Sequence, residues 1–108
     1  MPIKVYVAGP YSSDPEGNVL KAIDAAESLW KRGFVPYVPH LTHYWHQRHP
    51  HPWEEWLLMD QVWLAVCQAV LRLPGASPGA DRECSRAHDL KIPVFESLED
   101  LERASRAN

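Results

Sequence analysis

Short apolar runs alternate along this chain with longer segments in which apolar residues recur every three or four positions. The short runs, rich in Val, Ile and aromatic residues, predict strands at 3–8, 34–39, 68–73 and 92–96. The longer segments predict helices at 15–32, 53–66 and 78–90, with a last helix after Ser97. Parallel strands are expected when strands and helices alternate. We therefore expect an α/β fold, a three-layer α/β/α sandwich with a parallel four- to five-stranded sheet, flavodoxin or Rossmann-like.

Capping residues mark the predicted helix boundaries. Asp14 stands before Pro15 and Ser77 before Pro78, as at helix N-termini, and Gly33 follows the first helix. In that helix the predicted inward face consists of Ala22, Ile23, Ala26, Leu29 and Trp30. Pro36 lacks an N–H donor, which favours an edge position for the second strand. The His- and Pro-rich segment 40–52 is predicted to be a loop.

Two acidic residues, Asp60 and Glu83, occupy positions where helical spacing calls for apolar ones. Asp60 belongs to a core-facing stripe formed by Trp53, Trp56, Leu57, Asp60, Trp63, Leu64 and Cys67. Glu83 shares a helix face with Ala80, Cys84 and Ala87. A carboxylate on such a face must be paired, protonated or used chemically. The pair therefore suggests an acid/base or nucleophilic site, with ordinary ion pairing or, for Glu83, solvent exposure as the alternative.

Ligands of an open parallel sheet bind at the carboxyl ends of its strands. The loops at that edge are expected at 9–14, 39–52 and 74–81. The first precedes a helix N-terminus, whose N–H groups favour an anion. The third carries Gly75 and Gly79, which let backbone approach a ligand closely, and Ser77 at a helix start. A ligand bound there would lie beside Glu83.

Five histidines crowd the segment 40–52, at positions 40, 43, 46, 49 and 51. Their density invites a metal site. However, Pro50 and Pro52 interrupt the segment and no HExxH motif is present. Substrate contact by one or two histidines, or simple exposure, is the favoured interpretation, and we expect no metal ion and no cofactor.

Composition narrows the class of protein further. A chain of 108 residues with a formal net charge of −3 fits a single domain, 1–108, and gives no reason to expect nucleic-acid or membrane binding. No signal peptide or membrane-spanning run is evident, and a cytoplasmic location is expected. Cys67 and Cys84 are expected to be buried thiols, with a disulfide as the alternative.

Three segments together resemble the nucleoside 2-deoxyribosyltransferase-like superfamily: KVYVAGPYS, LMDQVWLAVCQAVLRLPG and SPGADRECSRAHDLKIPVF. The resemblance covers about residues 3–96. It is greatest to a small bacterial and phage branch related to nucleotide N-glycosidases. It implies that this chain cleaves or transfers the N-glycosidic bond of a nucleoside or nucleoside 5′-monophosphate.

The resemblance also implies roles for individual residues. Glu83 matches the nucleophilic glutamate, and Asp60 the aspartate that protonates the base or orients the sugar. Tyr11 resembles the tyrosine that hydrogen-bonds the nucleophile. The implied substrate-binding residues are Gly9, Pro10, Ser12, Ser77 and Gly79. From composition alone we add His43 and Trp45 as substrate contacts, with Trp53 or Tyr44 as other aromatic residues able to stack on a base.

Two features depart from that superfamily. Its classical members complete their sites with a C-terminal segment of a neighbouring subunit, often carrying an asparagine. Here Asn108 is only a weak candidate, which favours hydrolysis over transfer. The His/Trp-rich segment has no counterpart and is expected to set the substrate.

Other functions stay open at this stage. One alternative is a non-catalytic module that binds a nucleotide or ribose phosphate, and another is a metal-dependent protein built on the histidines. The small chain and its Trp-rich helix favour a homo-oligomer, a dimer or tetramer, that completes the pocket between subunits.

Overall fold

The architecture is an α/β sandwich built on a four-stranded parallel sheet. The computed structural model describes residues 2–107, so Asn108, the candidate C-terminal asparagine, lies outside the described part. The strands are β1 (Lys4–Ala8), β2 (Val35–Tyr37), β3 (Ala69–Arg72) and β4 (Val94–Phe95). They follow the order β2-β1-β3-β4, and all three pairings are parallel. This confirms the predicted fold class and the edge position of β2.

Within residues 2–107, five helices connect and cover the sheet. They are α1 (Pro15–Lys31), α2 (Thr42–Arg48), α3 (Trp53–Ala65), α4 (Pro78–Asp89) and α5 (Leu98–Arg106), and one 3₁₀ turn, Pro39–Leu41, precedes α2. The side chains of Asp14, Ser77 and Ser97 cap α1, α4 and α5, as their sequence positions predict.

Strand alternation divides the core into two layers. Val5 and Val7 of β1 face α1 and α5, whereas Tyr6 and Ala8 face α3 and α4. The first layer includes Leu29 and Leu101, both fully buried. Helices thus cover both faces of the sheet, which makes three layers.

The predicted inward faces of two helices are partly wrong. In α1, Ile23 and Trp30 are 37% and 62% exposed, because each lies one residue, about 100° of helix, past the buried Ala22 and Leu29. In α3, Trp53 and Trp63 are likewise about half exposed. That helix carries apolar residues all round, so periodicity alone could not orient it.

The predicted loop at 40–52 is also wrong over most of its length. Residues Thr42–Arg48 form α2, and the hydroxyl of Thr42 donates to the carbonyl of Pro39 at its start. Pro50 and Pro52 lie beyond the last turn, where a proline ends a helix without disrupting it.

Two further findings concern cysteines and membrane segments. Cys67 and Cys84 are free, buried and half-buried respectively, so the disulfide alternative is wrong. No helix within residues 2–107 has the length and apolar character that a membrane crossing requires.

Two leucines of α1 provide a matched test of the core. Leu29 is fully buried, whereas Leu20 is 59% exposed. We expect Leu29→Ala to lower the free energy of unfolding by about 2–5 kcal/mol, since it removes packed side chain and leaves a cavity. Leu20→Ala should change it by less than about 0.5 kcal/mol. Urea unfolding of both variants is the measurement, and equal losses would contradict this packing of α1.

Candidate active site

A cavity of about 660 Å³ opens at the carboxyl ends of the two central strands, β1 and β3. This is where the strand order reverses direction, the usual ligand position in such sheets. The volume lies in the range of small-molecule sites. Its walls come from the loops after β1 and β3, from α2 and α3, and from the first turns of α4.

The two loops touch each other through glycines. A methyl group added at Gly9 would come within 3.0 Å of the Cβ atom of Leu73. One added at Gly75, where φ is +112°, would come within 2.9 Å of Pro10. The loops therefore approach each other more closely than larger residues allow, and together they form the floor of the cavity.

Glu83 reaches the cavity from α4, about one and a half turns after the Ser77 cap. The buried hydroxyl of Tyr6 on β1 donates a hydrogen bond to Glu83 Oε2. Burial raises the pKa of Glu83 to about 7, although the Tyr6 hydrogen bond and the positive charge of Arg72 both oppose that shift. Glu83 is thus a carboxylate whose charge has two supporting partners.

Asp60 reaches the same cavity from α3. Its Oδ1 atom is buried and has no hydrogen-bond partner among residues 2–107. Burial, and then the negative charge of Glu83, raises the pKa of Asp60 to about 7. Within this part of the chain, the ionised form of Asp60 has no hydrogen-bond donor or cation to stabilise it, as that of Glu83 has. When only one of the two carboxyl groups is protonated, Asp60 is therefore the favoured one.

The alternative that both acids are ordinary ion-pair partners is wrong for the described residues. Neither Asp60 nor Glu83 lies within 4.0 Å of a Lys, Arg or His nitrogen there. Both line one cavity and affect each other's ionisation. The arrangement suits proton donation by one acid and negative charge on the other.

The tyrosine that contacts Glu83 is Tyr6, not Tyr11. The Tyr11 hydroxyl lies 2.6 Å from His43 Nδ1 on α2, and both residues line the cavity. Sequence reasoning missed Tyr6 because a tyrosine inside an apolar strand resembles a core residue. The available signal was its alternation with Val5 and Val7, which puts its hydroxyl on the sheet face that α4 covers.

Histidines of the segment 40–52 hold the cavity wall together. His40 Nε2 lies 3.2 Å and 3.1 Å from the carbonyl oxygens of Gly9 and Pro10. Burial lowers the pKa of His40, so its neutral form is favoured and Nε2–H donates to these carbonyls. His46 Nδ1 accepts a 2.8 Å hydrogen bond from the Trp56 indole. Among residues 2–107, no three His, Cys, Asp or Glu side chains group as a metal site.

Aromatic residues also line the cavity. Trp53 and Trp56 both line it, and the Arg82 guanidinium lies 5.2 Å from the centre of the Trp53 ring. Trp45, predicted to contact substrate, does not line the cavity, because its ring packs edge-on against Trp56. Tyr44, the other suggested stacking residue, is also outside the lining and 52% exposed.

The remaining predicted site residues converge. The cavity lining includes Gly9, Pro10, Tyr11, Ser12, His43, Asp60, Ser77, Gly79 and Glu83. Sequence positions far apart thus meet at one place.

Comparison with known proteins places the chain in a family. Residues 3–97 match the family described as "Domain of unknown function (DUF7768)", and the chain belongs to it. No curated protein sequence matches the chain.

Solved structures of deoxyribosyltransferases share the fold. The 2-desoxiribosyltransferase from Leishmania mexicana superposes with a TM-score of 0.68 at 16% identity, over 87% of this chain and 63% of its own length. The 2-deoxyribosyltransferase from Bacillus psychrosaccharolyticus gives a TM-score of 0.57 at 20% identity, over 84% and 69%. The chain therefore spans less than two thirds of the Leishmania protein, and at these identities the likeness concerns the fold.

The raised pKa values predict how stability depends on pH. Burial raises the pKa of Asp60 and of Glu83 from 3.8 and 4.5 to about 7, so between about pH 4 and 7 the folded chain binds protons that the unfolded chain has released. The free energy of unfolding should therefore fall as the pH rises through this window. Asp60→Asn should flatten the decline, since it removes one of the two groups.

Urea unfolding at several pH values between about 5 and 8 measures this effect. Asp24→Asn is the matched control, because Asp24 is an exposed carboxylate of α1. It should keep the wild-type slope. A wild-type stability that rises through the window, or an Asp60→Asn slope equal to the wild-type slope, would contradict the burial of Asp60.

Proposed function

We propose that the chain cleaves the N-glycosidic bond of a nucleoside or nucleoside 5′-monophosphate, with Glu83 and Asp60 as its catalytic residues. The observation that carries this proposal is the pair of unlike carboxyl groups in one cavity. The charge of Glu83 has the Tyr6 hydroxyl and Arg72 to support it, whereas Asp60 is partly buried with an unpartnered oxygen. The shared fold with two deoxyribosyltransferases points to the same kind of substrate.

Glu83 acts as the nucleophile in this mechanism. Its Oε2 atom accepts the Tyr6 hydrogen bond, while Oε1 accepts none from the described residues. A carboxylate oxygen attacks the anomeric carbon, the bond from that carbon to the base nitrogen breaks, and a glycosyl ester forms. Positive charge develops on the sugar during this step, and the carboxylate stabilises it.

Asp60 acts as the proton donor to the departing base. The base nitrogen takes the electron pair of the broken bond, and protonation makes the base a better leaving group. A carboxyl group whose pKa is about 7 keeps a substantial proton population at neutral pH. Once ionised, Asp60 removes a proton from the water that hydrolyses the glycosyl ester, which regenerates both acids.

Transfer is the other fate of the same ester. A second base in place of water would produce a new nucleoside instead of a free sugar. The balance between the two depends on which acceptor reaches the ester first.

The walls of the cavity suggest how the substrate is oriented. Ser77 and Gly79 lie at the N-terminus of α4, whose N–H groups attract an anion or a hydroxyl. Arg82 adds a positive charge to the lining near the same helix end. The indole faces of Trp53 and Trp56 offer stacking surface for a base. Tyr11, hydrogen-bonded to His43, contacts the substrate in this arrangement and does not touch Glu83.

Assembly into a symmetric oligomer forms part of the proposal. Three residues of α3, Leu58, Val62 and Val66 at its end, are each more than 50% exposed and spaced four apart. Such an apolar stripe suits contact with a second subunit. We further propose that the whole chain is one deoxyribosyltransferase-like domain.

Incubation with a panel of nucleosides and their 5′-monophosphates, followed by chromatography of free base, tests the activity. We expect release of base from at least one member of the panel. Glu83→Gln should lower the rate roughly a thousandfold or more, as loss of a nucleophile does. Glu99→Gln, which changes an exposed glutamate of α5, is the matched control and should leave the rate unchanged.

Ligand-induced thermal stabilisation completes the experiment. Glu83→Gln should still be stabilised by the substrate that the wild type cleaves, because the rest of the cavity is intact. Stabilisation of the wild type without any base release would favour a non-catalytic nucleotide-binding module. If the protein shows neither ligand binding nor base release, the proposal is refuted.

A further inference from the structure

Arg72 is a cation at the end of the sheet, beside the first turn of α4. It is the last residue of β3 and pairs with Ala8 of β1. Strand alternation places it on the same sheet face as Val70, which stands opposite Tyr6. Its side chain is only 12% exposed, so it lies between the end of the sheet and α4.

The guanidinium joins the β3–α4 loop to α4 through three acceptors. Nη1 donates to the carbonyl of Leu73, and Nη2 donates at 3.0 Å both to the carbonyl of Gly75 and to Asp81 Oδ1. A planar guanidinium with several fixed donors can hold such divergent acceptors, whereas a lysine ammonium offers no such fork.

These contacts reach the floor of the cavity. Leu73 packs on Gly9, and Gly75 packs on Pro10, so the two residues that Arg72 holds are those that touch the first loop. Asp81, the third partner, lies on α4 two residues before Glu83. Arg72 therefore connects the helix that carries Glu83 with the loop that packs on the first loop.

Charge adds a second effect to this geometry. The positive charge of Arg72 lowers the pKa of Glu83 against the upward effect of burial. The other titratable groups whose pKa values the charge of Glu83 affects are Tyr6 from β1, Tyr37 from β2, Asp60 from α3 and Cys84 from α4 itself. None of these supplies positive charge.

We propose that Arg72 is the positioning residue of the site: its guanidinium fixes the β3–α4 loop, which packs on the first loop, to the helix that carries Glu83, and its charge favours the ionised form of Glu83. The inference rests on the proposed function in one respect, since an ionised Glu83 is the form that attacks the sugar. A purely structural ion pair with Asp81 is the competing interpretation. The Asp81 side chain is 72% exposed, so that pair by itself contributes little.

Two substitutions separate geometry from charge. Arg72→Lys keeps the positive charge but loses the planar set of guanidinium donors, whereas Arg72→Gln loses the charge. ¹³C NMR titration of the Glu83 carboxyl group should show its pKa raised by about one unit in Arg72→Gln and little changed in Arg72→Lys. Amide hydrogen exchange in residues 73–80 should be faster in both variants.

Arg32→Gln is the matched control. Arg32 also pairs with a carboxylate, that of Glu102 at 2.9 Å, but on the opposite side of the sheet between α1 and α5. It should leave both the Glu83 titration and exchange in residues 73–80 unchanged. Asp81→Asn keeps the guanidinium and its two carbonyl contacts, so it should not raise the pKa of Glu83. This variant tests the proposal even if the Arg72 variants fail to fold.

These measurements need no substrate, so they are independent of whether base release is found. If base release is found, Arg72→Gln should shift the acidic limb of the pH–rate profile to higher pH. Arg72→Lys should mainly raise KM. An unchanged Glu83 titration in Arg72→Gln, or a raised pKa in Asp81→Asn, would overturn the proposal.

Discussion

Two carboxyl groups that face one cavity cannot both be ionised without repulsion and loss of solvation. This constraint explains why the neighbours of Asp60 and Glu83 differ so much. Glu83 has a hydroxyl donor in Tyr6 and a cation in Arg72, whereas Asp60 has an unpartnered buried oxygen. The asymmetry assigns the negative charge to one helix and the proton to the other, and the proposed chemistry requires both.

The groups that create this asymmetry lie on the sheet and not on the loops. Tyr6 and Arg72 lie on adjacent parallel strands and on the same face, so their relative placement is set by the β1–β3 register. Loops in such folds usually carry the functional groups on a rigid scaffold. Here the scaffold itself contributes two groups, and the glycines allow the two loops to pack closely against each other. His40 adds a third connection through the carbonyls of Gly9 and Pro10.

The sequence was most informative where a residue broke a pattern. Asp60 and Glu83 stood out because they interrupt apolar helix faces, and both line the cavity. Tyr6 followed its pattern and so could not be distinguished from a core residue. Arg72 ends a strand, where a polar residue is common. Its contacts with the following loop and α4 are visible only in the folded chain.

Prediction was weakest where neighbouring residues favour different structures. Pro50 and Pro52 favoured a loop, yet both lie beyond the C-terminal end of α2. In α3, tryptophans surround the helix, so which of them faces the cavity is decided by tertiary packing. Trp53 lines the cavity with Arg82 beside it, while Trp45 supports Trp56 from behind. The contact between the loops depends on glycines whose neighbours are more than 60 residues away in sequence.

The most direct test of this account is a ¹³C NMR titration of the Asp60 and Glu83 carboxyl groups in the wild-type protein. Interacting acids titrate as a pair. The account predicts that both protons of the pair leave near pH 7, the proton of Glu83 before that of Asp60. Two independent titrations, both complete below about pH 5, would show that the acids do not share a desolvated cavity and would contradict the account.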